Sequence, residues 1–540
     1  MKAHEAIARA LSDNGIETLF GLIGDANLFM VDSFVRQCGG TYVSAQHEAG
    51  AVLMALGYAQ ASGEVGVATV THGPAVTNTV TALIEGVKAQ LPVVLLCGDT
   101  PLEARHHLQK APQRELIMAT GAGFEQLRSG KTIAEDLATA LRRAVVERRP
   151  IALNMPIEIQ WEEVAYTPQP FKVFDARALV PASADIDDAV GIIAAARRPV
   201  ILAGRGAAAP EARAALLRLA ARIGAPVATT LKAKDLFRGE PNNLGVFGTL
   251  STPPAVDVIM QSDCLIAFGA TITNLTASNG AFIDGKRVVQ VNQQQGDIGR
   301  FYAPTAAMIG DPAQVADMVA GLLDEAEIAP SGFFGEEMAR TLAAYSRMAD
   351  GWTDTSTERT IDVIKALTVL NRHVPANRMM VTDGGRFVRQ AWKIFEVDGP
   401  QSFLLSVNFG SIGLGLPEAI GASYAAPGRP TLLVTGDGGF MHGGLAEFNS
   451  AVRARRDLIV IVCNDGCYGA EHIQFRNRDL PGDISILEWP ELAPLAVALG
   501  GAGVTVRTEA DLDLAAEAIR DRDRPLLIDV KLDLNHVPYE

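Results

Sequence analysis

Two short stretches put oxygen donors where a metal and a phosphate could meet. PTLLVTGDGGF sets Asp437 directly after one apolar run, and DLIVIVCND sets Asn464 at the end of the next. Each run reads as a strand, so both side chains fall on one edge of a sheet. The 25 residues from 439 to 463 suffice for one helix and a right-handed return to a neighbouring parallel strand. A carboxylate and an amide so placed suit Mg2+, which takes oxygen ligands and keeps its other positions for water and phosphate. The main-chain amides of Gly438 and Gly439, and a helix expected to begin near Gly443, can meet phosphate oxygens, because glycine lets an anion approach the backbone. Taken singly, GDG reads equally as a turn and Asn464 as a helix cap. Their spacing on twin strands favours the metal and phosphate.

A third candidate lies far upstream. TYVSAQHEAGAVLMALGYA reads as a strand, a sharp turn and a helix with Glu48 in its first turn. An acidic residue there favours the helix dipole whether or not it does chemistry.

The elements that must hold these residues alternate. From residue 1 to about 160, apolar runs (TLFGLIG, GVATVTHG, LPVVLLCGD, PIALNMP) are separated by Ala-rich helical stretches, the pattern of a parallel sheet wrapped by helices. A proline-bearing stretch from Trp161 to about Ser183 reads as a linker. RPVILAGRG, APVATT, DCLIAFG and RVVQVN then repeat the pattern to about Asp324. After a second connection, about 325 to 358, it recurs with NRMMVTDGG, PTLLVTGDGG, DLIVIVCND and PLLIDVKL. The fold expected is α/β, with three doubly wound parallel-sheet domains at 1–165, 184–325 and 358–540. A chain of 540 residues is in any case too long for one hydrophobic core.

Bulk composition narrows the partners. Lys plus Arg is 47 against 62 Asp plus Glu, a net charge of −15, which argues against a nucleic-acid surface. The five cysteines form no CxxC pair, and most lie in apolar, strand-like runs where a reduced, buried thiol is the ordinary reading. No apolar run reaches the roughly 18 residues of a membrane span, and the amphipathic start MKAHEAIARALSDNG lacks a secretory apolar core. A soluble, cytoplasmic protein is expected.

GDG followed after a spacer by Asn464, together with HEAGA around Glu48 and FGSIGLGLPEAIGA at 409 to 422, carries a resemblance over essentially all three segments. The sequence resembles the thiamine diphosphate-dependent enzymes of the acetolactate synthase, pyruvate decarboxylase and benzoylformate decarboxylase superfamily. That resemblance implies Mg2+ held by Asp437, Asn464 and the main-chain carbonyl of Gly466. It implies cofactor contacts from Gly410, Gly436, Gly438, Gly439, Tyr468 and Gly469. Ile412 stands at the position of the apolar wedge that bends the cofactor. Glu48 stands at the position of the activating glutamate, which hydrogen-bonds the pyrimidine ring; proximity within the bent cofactor then supplies the effective molarity for its deprotonation. The family's asparagine pair departs here to Asn464 and Asp465. The three domains become pyrimidine-binding, central and diphosphate-binding, and the family's domain pairing implies a homodimer or homotetramer with shared active sites.

On the substrate side the alternatives stay open. GLIGDANLF resembles the Gly-Asp-x-Asn-Leu segment of the decarboxylases, making Asp25 a proton-relay candidate or else a helix cap. His106 and His107 resemble the decarboxylases' paired histidines, but the segment after them resembles the glutamine region of acetolactate synthases, with Gln109 or Gln113 available. THGPAVTN carries His72 where the family has serine, a substrate contact or an ordinary hydrogen-bonding residue. Glu471 falls where decarboxylases keep a proton-handling glutamate, with His472 beside it; a solvent-exposed helical Glu-His pair is the competing account.

The middle segment's AGRGAAA is a loose Gly-x-Gly turn without the acidic strand end that a dinucleotide site needs, so a dehydrogenase is set aside. FAD is an option for this domain that FGATITNLTASNG does not favour. The function expected is a lyase or transferase: a non-oxidative decarboxylase or carboligase acting on a 2-oxo acid or carbonyl substrate through an enamine. An acetolactate synthase-like transferase is the nearest alternative, and a catalytically silent cofactor-binding protein a third.

Overall fold

The computed structural model describes residues 1–173, 179–345 and 352–538. Parts of both expected linkers, 174–178 and 346–351, lie outside the described residues. Three six-stranded sheets follow one another along the chain. The first comprises β1 (Thr18–Gly21), β2 (Thr41–Ser44), β3 (Gly66–Val70), β4 (Val93–Asp99), β5 (Gly123–Gln126) and β6 (Ile151–Pro156), in spatial order β2-β1-β3-β4-β6-β5. The second holds β7 (Pro199–Ala203), β8 (Val227–Thr229), β9 (Asn243–Val246), β10 (Cys264–Phe268), β11 (Arg287–Asn292) and β12 (Ala306–Ile309), ordered β12-β11-β10-β7-β8-β9. The third holds β13 (Met379–Thr382), β14 (Phe403–Leu405), β15 (Thr431–Gly436), β16 (Leu458–Asn464), β17 (Ala502–Val506) and β18 (Leu526–Lys531), ordered β14-β13-β15-β16-β18-β17. The sheets are parallel, with helices flanking them, as strands joined through helical crossovers must be.

The chain divides into two compact units. One joins Met1–Val173, Asp354–Phe395 and the chain from Leu404 onward; the other holds the central sheet with Glu396–Phe403. Within the first unit the first and third sheets share one core, which runs from Val52 and Leu56 through Leu416 and Ile420 to Val460. At its centre the Glu48–Ser62 helix lies against the Gly415–Ala425 helix. Two glycines permit the approach: a Cβ on Gly57 would sit 2.0 Å from the Glu418 carbonyl, and one on Gly421 1.8 Å from that of Met54. The central unit has separate apolar clusters on its two sheet faces.

Two local expectations are corrected. The helix expected near Gly443 begins at Asp437, because the chain coils straight out of β15 through Asp437–Gly439 and a π-turn at Phe440–Gly444 into Leu445–Arg453. The strands β5, β9, β12, β14 and β17 extend the sheets beyond the apolar runs. Among the described residues, no helix is long and apolar enough to cross a membrane.

Candidate active site

Gly436 pairs with Cys463 in the β15–β16 ladder, so Asp437 and Asn464 leave adjacent strand ends side by side. Asp437 is buried, and its Oδ2 accepts from Trp489 Nε1 at 2.8 Å. Burial, and then the nearby Asp465 carboxylate, push its carboxyl up to about 7. Asn464 is oriented from below: its Nδ2 donates to Asp529 Oδ1 at 2.8 Å. Asp529 is itself fully buried and held by Lys531 Nζ at 2.8 Å and the Leu492 amide at 3.2 Å. The amide is thereby fixed with Oδ1 as its remaining acceptor, which takes the Gly466 N–H at 3.2 Å. Gly466 adopts φ +66, the left-handed region. Its carbonyl accepts from Leu487 N at 2.7 Å, which leaves one lone pair.

These groups fit a hard cation. Among the described residues no trio of His, Cys, Asp or Glu stands ready for a metal. A cation here would be held by one carboxylate with amide and main-chain oxygens, a set suited to Mg2+. A buried carboxylate is short of positive charge, which such an ion would supply.

The glycines of the GDGG turn are crowded by neighbouring side chains. A Cβ on Gly438 would lie 3.0 Å from the Tyr468 ring and 3.9 Å from Ile412 Cδ1, so the wedge candidate and the tyrosine flank the GDG turn. Gly439 would meet Asp383 Oδ2 at 3.0 Å, and Gly436 the Phe387 ring at 3.1 Å. The half-buried Ile412 sits in a loop with Gly410 at φ +86 and Gly413 at φ +82. Asp383 pins that loop by accepting from Gly413 N at 3.0 Å, Gly384 N at 2.7 Å and Thr435 Oγ1 at 3.2 Å. Burial pushes Asp383 up to about 6, against the pull of those donors.

Glu48 begins its helix, and its Oε2 accepts from Asn78 Nδ2 at 2.9 Å. The turn before it is held by Glu447, whose Oε1 accepts from Gln46 N at 2.9 Å and His47 N at 3.1 Å. That oxygen fills the place of a Gly50 Cβ, which would lie 2.2 Å away. The glycine of HEAGA is thus required by a carboxylate from the helix that follows GDGG.

A separate group forms at the ends of β1 and β3. Asp25 Oδ1 accepts from Thr71 Oγ1 at 3.0 Å and lies 3.5 Å from His72 Nδ1, while His72 and His107 rings are 5.3 Å apart. Burial lowers His72 below the ordinary histidine value, partly offset by Asp25. The cap position of the following helix is Asn27, not Asp25. His106 is exposed and stands outside the group. Gln113 is buried in the framework, accepting from Gly73 N and donating to Gly98 O and Asn154 Oδ1; Gln109 is partly exposed. Glu471 and Gly469 lie in the first turn of the Gly469–Arg476 helix. Glu471 is exposed, but His472 is buried, its Nδ1 2.9 Å from Ser485 Oγ, so the exposed-pair account fails for the histidine.

The structure therefore gathers Asp437, Gly438, Ile412, Asn464, Gly466 and Tyr468 in one place, Glu48 with Asn78 in a second, and Asp25, His72 and His107 in a third. Sequence reasoning missed Asn78, Glu447, Trp489 and Asp529. Asn78 ends the THGPAVTN stretch and Glu447 lies on the GDGG helix, so both had a local signal. In the central unit, the AGRGAAA turn packs on the FGA turn: a Cβ on Gly204 would lie 2.3 Å from Gly269 O, and Gly206 N donates to that oxygen. Its glycines serve loop packing.

Residues 1–120 match the family model for the N-terminal TPP binding domain of thiamine pyrophosphate enzymes, 186–319 that for the central domain, and 383–530 that for the C-terminal TPP binding domain. Similar proteins include the sulfoacetaldehyde acetyltransferase of Alcaligenes xylosoxydans xylosoxydans, 28% identical over 96% of this chain and 90% of that one. The acetolactate synthase of Mycobacterium bovis is 27% identical over 97% and 87%. The "Probable 2-ketoarginine decarboxylase AruI" of Pseudomonas aeruginosa is 28% identical over 95% and 90%. With the three domains matched in order along a chain of three parallel sheets, this protein belongs to the thiamine pyrophosphate enzymes.

Proposed function

We propose that the protein is a Mg2+-dependent, non-oxidative decarboxylase or carboligase acting on a 2-oxo acid, and that it works as a homodimer or homotetramer. Asp437, Asn464 and the Gly466 carbonyl would hold the cation. The amides of Gly438 and Gly439 would meet the diphosphate, with Gly410, Ile412, Gly436, Tyr468 and Gly469 around the rest of the cofactor. Bound thiamine diphosphate supplies a carbon nucleophile and an electron sink, the chemistry a protein lacks. The chain's own part is positional and protonic. Glu48, with Oε2 held by Asn78, would present Oε1 to the pyrimidine ring nitrogen and hold a proton there.

The observation that carries the decarboxylase reading is the Asp25–His72–His107 group. A buried imidazole faced by a carboxylate and by a second imidazole can relay a proton at a substrate atom; burial lowers it, so near neutral pH it is mostly uncharged and acts first as acceptor. Of the two glutamine candidates, Gln113 is occupied in holding Gly73 and Asn154, which leaves the acetolactate synthase-like alternative to Gln109. His106 and Glu471, both exposed, would serve only at the mouth of the site.

The test supplies thiamine diphosphate and Mg2+ with a panel of 2-oxo acids and scores CO2, aldehyde and acyloin separately. CO2 with aldehyde or acyloin from at least one donor is expected, as is loss of cofactor binding when Mg2+ is chelated. Acetyl transfer to an acceptor without aldehyde release would establish the transferase instead.

A further inference from the structure

The position where the chain departs from the family's asparagine pair is built into a buried ion pair. Asp465 Oδ2 accepts from Arg386 Nε at 3.0 Å and Nη2 at 2.8 Å, and both side chains are nearly inaccessible. Asp465 Oδ1 takes the Cys467 amide and thiol, each at 3.2 Å. Arg386 Nη2 also donates to Leu534 O at 2.5 Å. One guanidinium thus ties together the turn after β13, the loop after β16 and the segment after β18.

The loop is shaped around this pair. A Cβ on Gly469 would lie 2.6 Å from Arg386 Nε and 2.7 Å from Asp465 Oδ2, so the glycine leaves room for the pair. Asn464 and Gly466 flank Asp465 directly, and the Leu532 amide donates to Asn464 O at 2.8 Å. Any shift of Asp465 is passed to both neighbours through the main chain.

We propose that Arg386 and Asp465 are a positioning pair for the metal loop: the arginine demands an aspartate at 465, and together they set the geometry and charge that Asn464 and Gly466 present to the cation. The proposal rests on the metal assignment above. An asparagine at 465 would leave a buried guanidinium unmatched, which both loosens the loop and opposes a cation next to it. Removing the arginine would leave the aspartate unmatched and free the loop from Leu534.

The test is calorimetric titration of thiamine diphosphate into protein over a Mg2+ series, with the melting temperature of each cofactor-free protein measured alongside. Asp465→Asn is expected to need about tenfold more Mg2+ for half-saturation, the usual cost of losing an outer partner; Arg386→Gln is expected to need more than wild type but less than Asp465→Asn, because its unmatched carboxylate attracts the cation while the loop loses its tie. The double variant is expected to return to within about threefold of wild type. Arg386→Lys keeps the charge without the fork and is the milder probe where a single variant fails to fold; it should shift the same way, by less. Unchanged Mg2+ requirement in Asp465→Asn and Arg386→Lys, or a double variant as impaired as both singles combined, overturns the pair. Wild type that fails to bind thiamine diphosphate overturns the metal assignment instead.

Discussion

At the scale of single residues, the proposed chemistry depends on a carboxyl that is useful only if it is held. Glu48 has Asn78 on one oxygen and, beneath its helix turn, the Glu447 carboxylate gripping two amides. Glu48→Gln keeps the shape but cannot exchange a proton, so kcat should fall by roughly 10²- to 10⁴-fold while calorimetric cofactor affinity stays within a few-fold. Asn78→Ala should cost about tenfold in kcat, on the scale of an outer hydrogen-bond partner. A cofactor affinity that collapses in Glu48→Gln with turnover per bound cofactor intact would reassign the residue to binding alone. Glu48, Asp437 and Asn464 were legible in the sequence because each sits at a strand end within a short motif. The supports of Asp437 and Asn464 were not. Trp489 reaches Asp437 across 52 residues and Asp529 reaches Asn464 across 65, and no local pattern encodes such pairings.

At the scale of elements, what could be read followed burial. Central strands such as β15 and β16 are buried at every position and appear in the sequence as unbroken apolar runs. The strands that left no such run, β5, β9, β12, β14 and β17, each lie at the edge of a sheet, where β5, β9 and β17 are mostly half-buried. The helix pair joining the first and third sheets was hidden for another reason: its glycines matter only against a partner. That pair also buries Glu418, whose carboxyl is raised well above its usual value by burial, then by Glu85 and Asp383. A carboxyl raised in the folded state adds stability below its unfolded value, near pH 4.5. That contribution is lost as pH rises toward the folded value, because the unfolded chain ionises more readily. Glu418→Gln should therefore melt close to wild type near pH 4.5 and on the order of a few degrees above it near pH 8. A difference that does not grow with pH would show that the carboxyl is not strained by burial.

At the scale of the whole molecule, the candidate residues raise the question of which chain completes which site. Glu447 contacts the turn just before Glu48, yet it lies ten residues along the helical stretch that starts at Asp437, about 15 Å at 1.5 Å per residue. Within one chain, then, the Glu48 turn is fastened to the far end of the helix whose near end carries the metal candidate. In the proposed oligomer, a two-fold partner supplying Glu48 to this Asp437, and receiving the same in return, would resolve that separation with one self-complementary interface. The consequence is testable by mixing faults. Glu48→Gln and Asp437→Ala should each abolish turnover as homodimers. A heterodimer of the two, purified through distinct tags, would carry both faults in one site and neither in the other. It should regain about half of the wild-type turnover per dimer, because one of two equivalent sites is whole. If each site is built within a single chain, every site in the heterodimer keeps one fault and the mixture stays as inactive as its parents; sedimentation of an active wild-type monomer would lead to the same conclusion by a separate route.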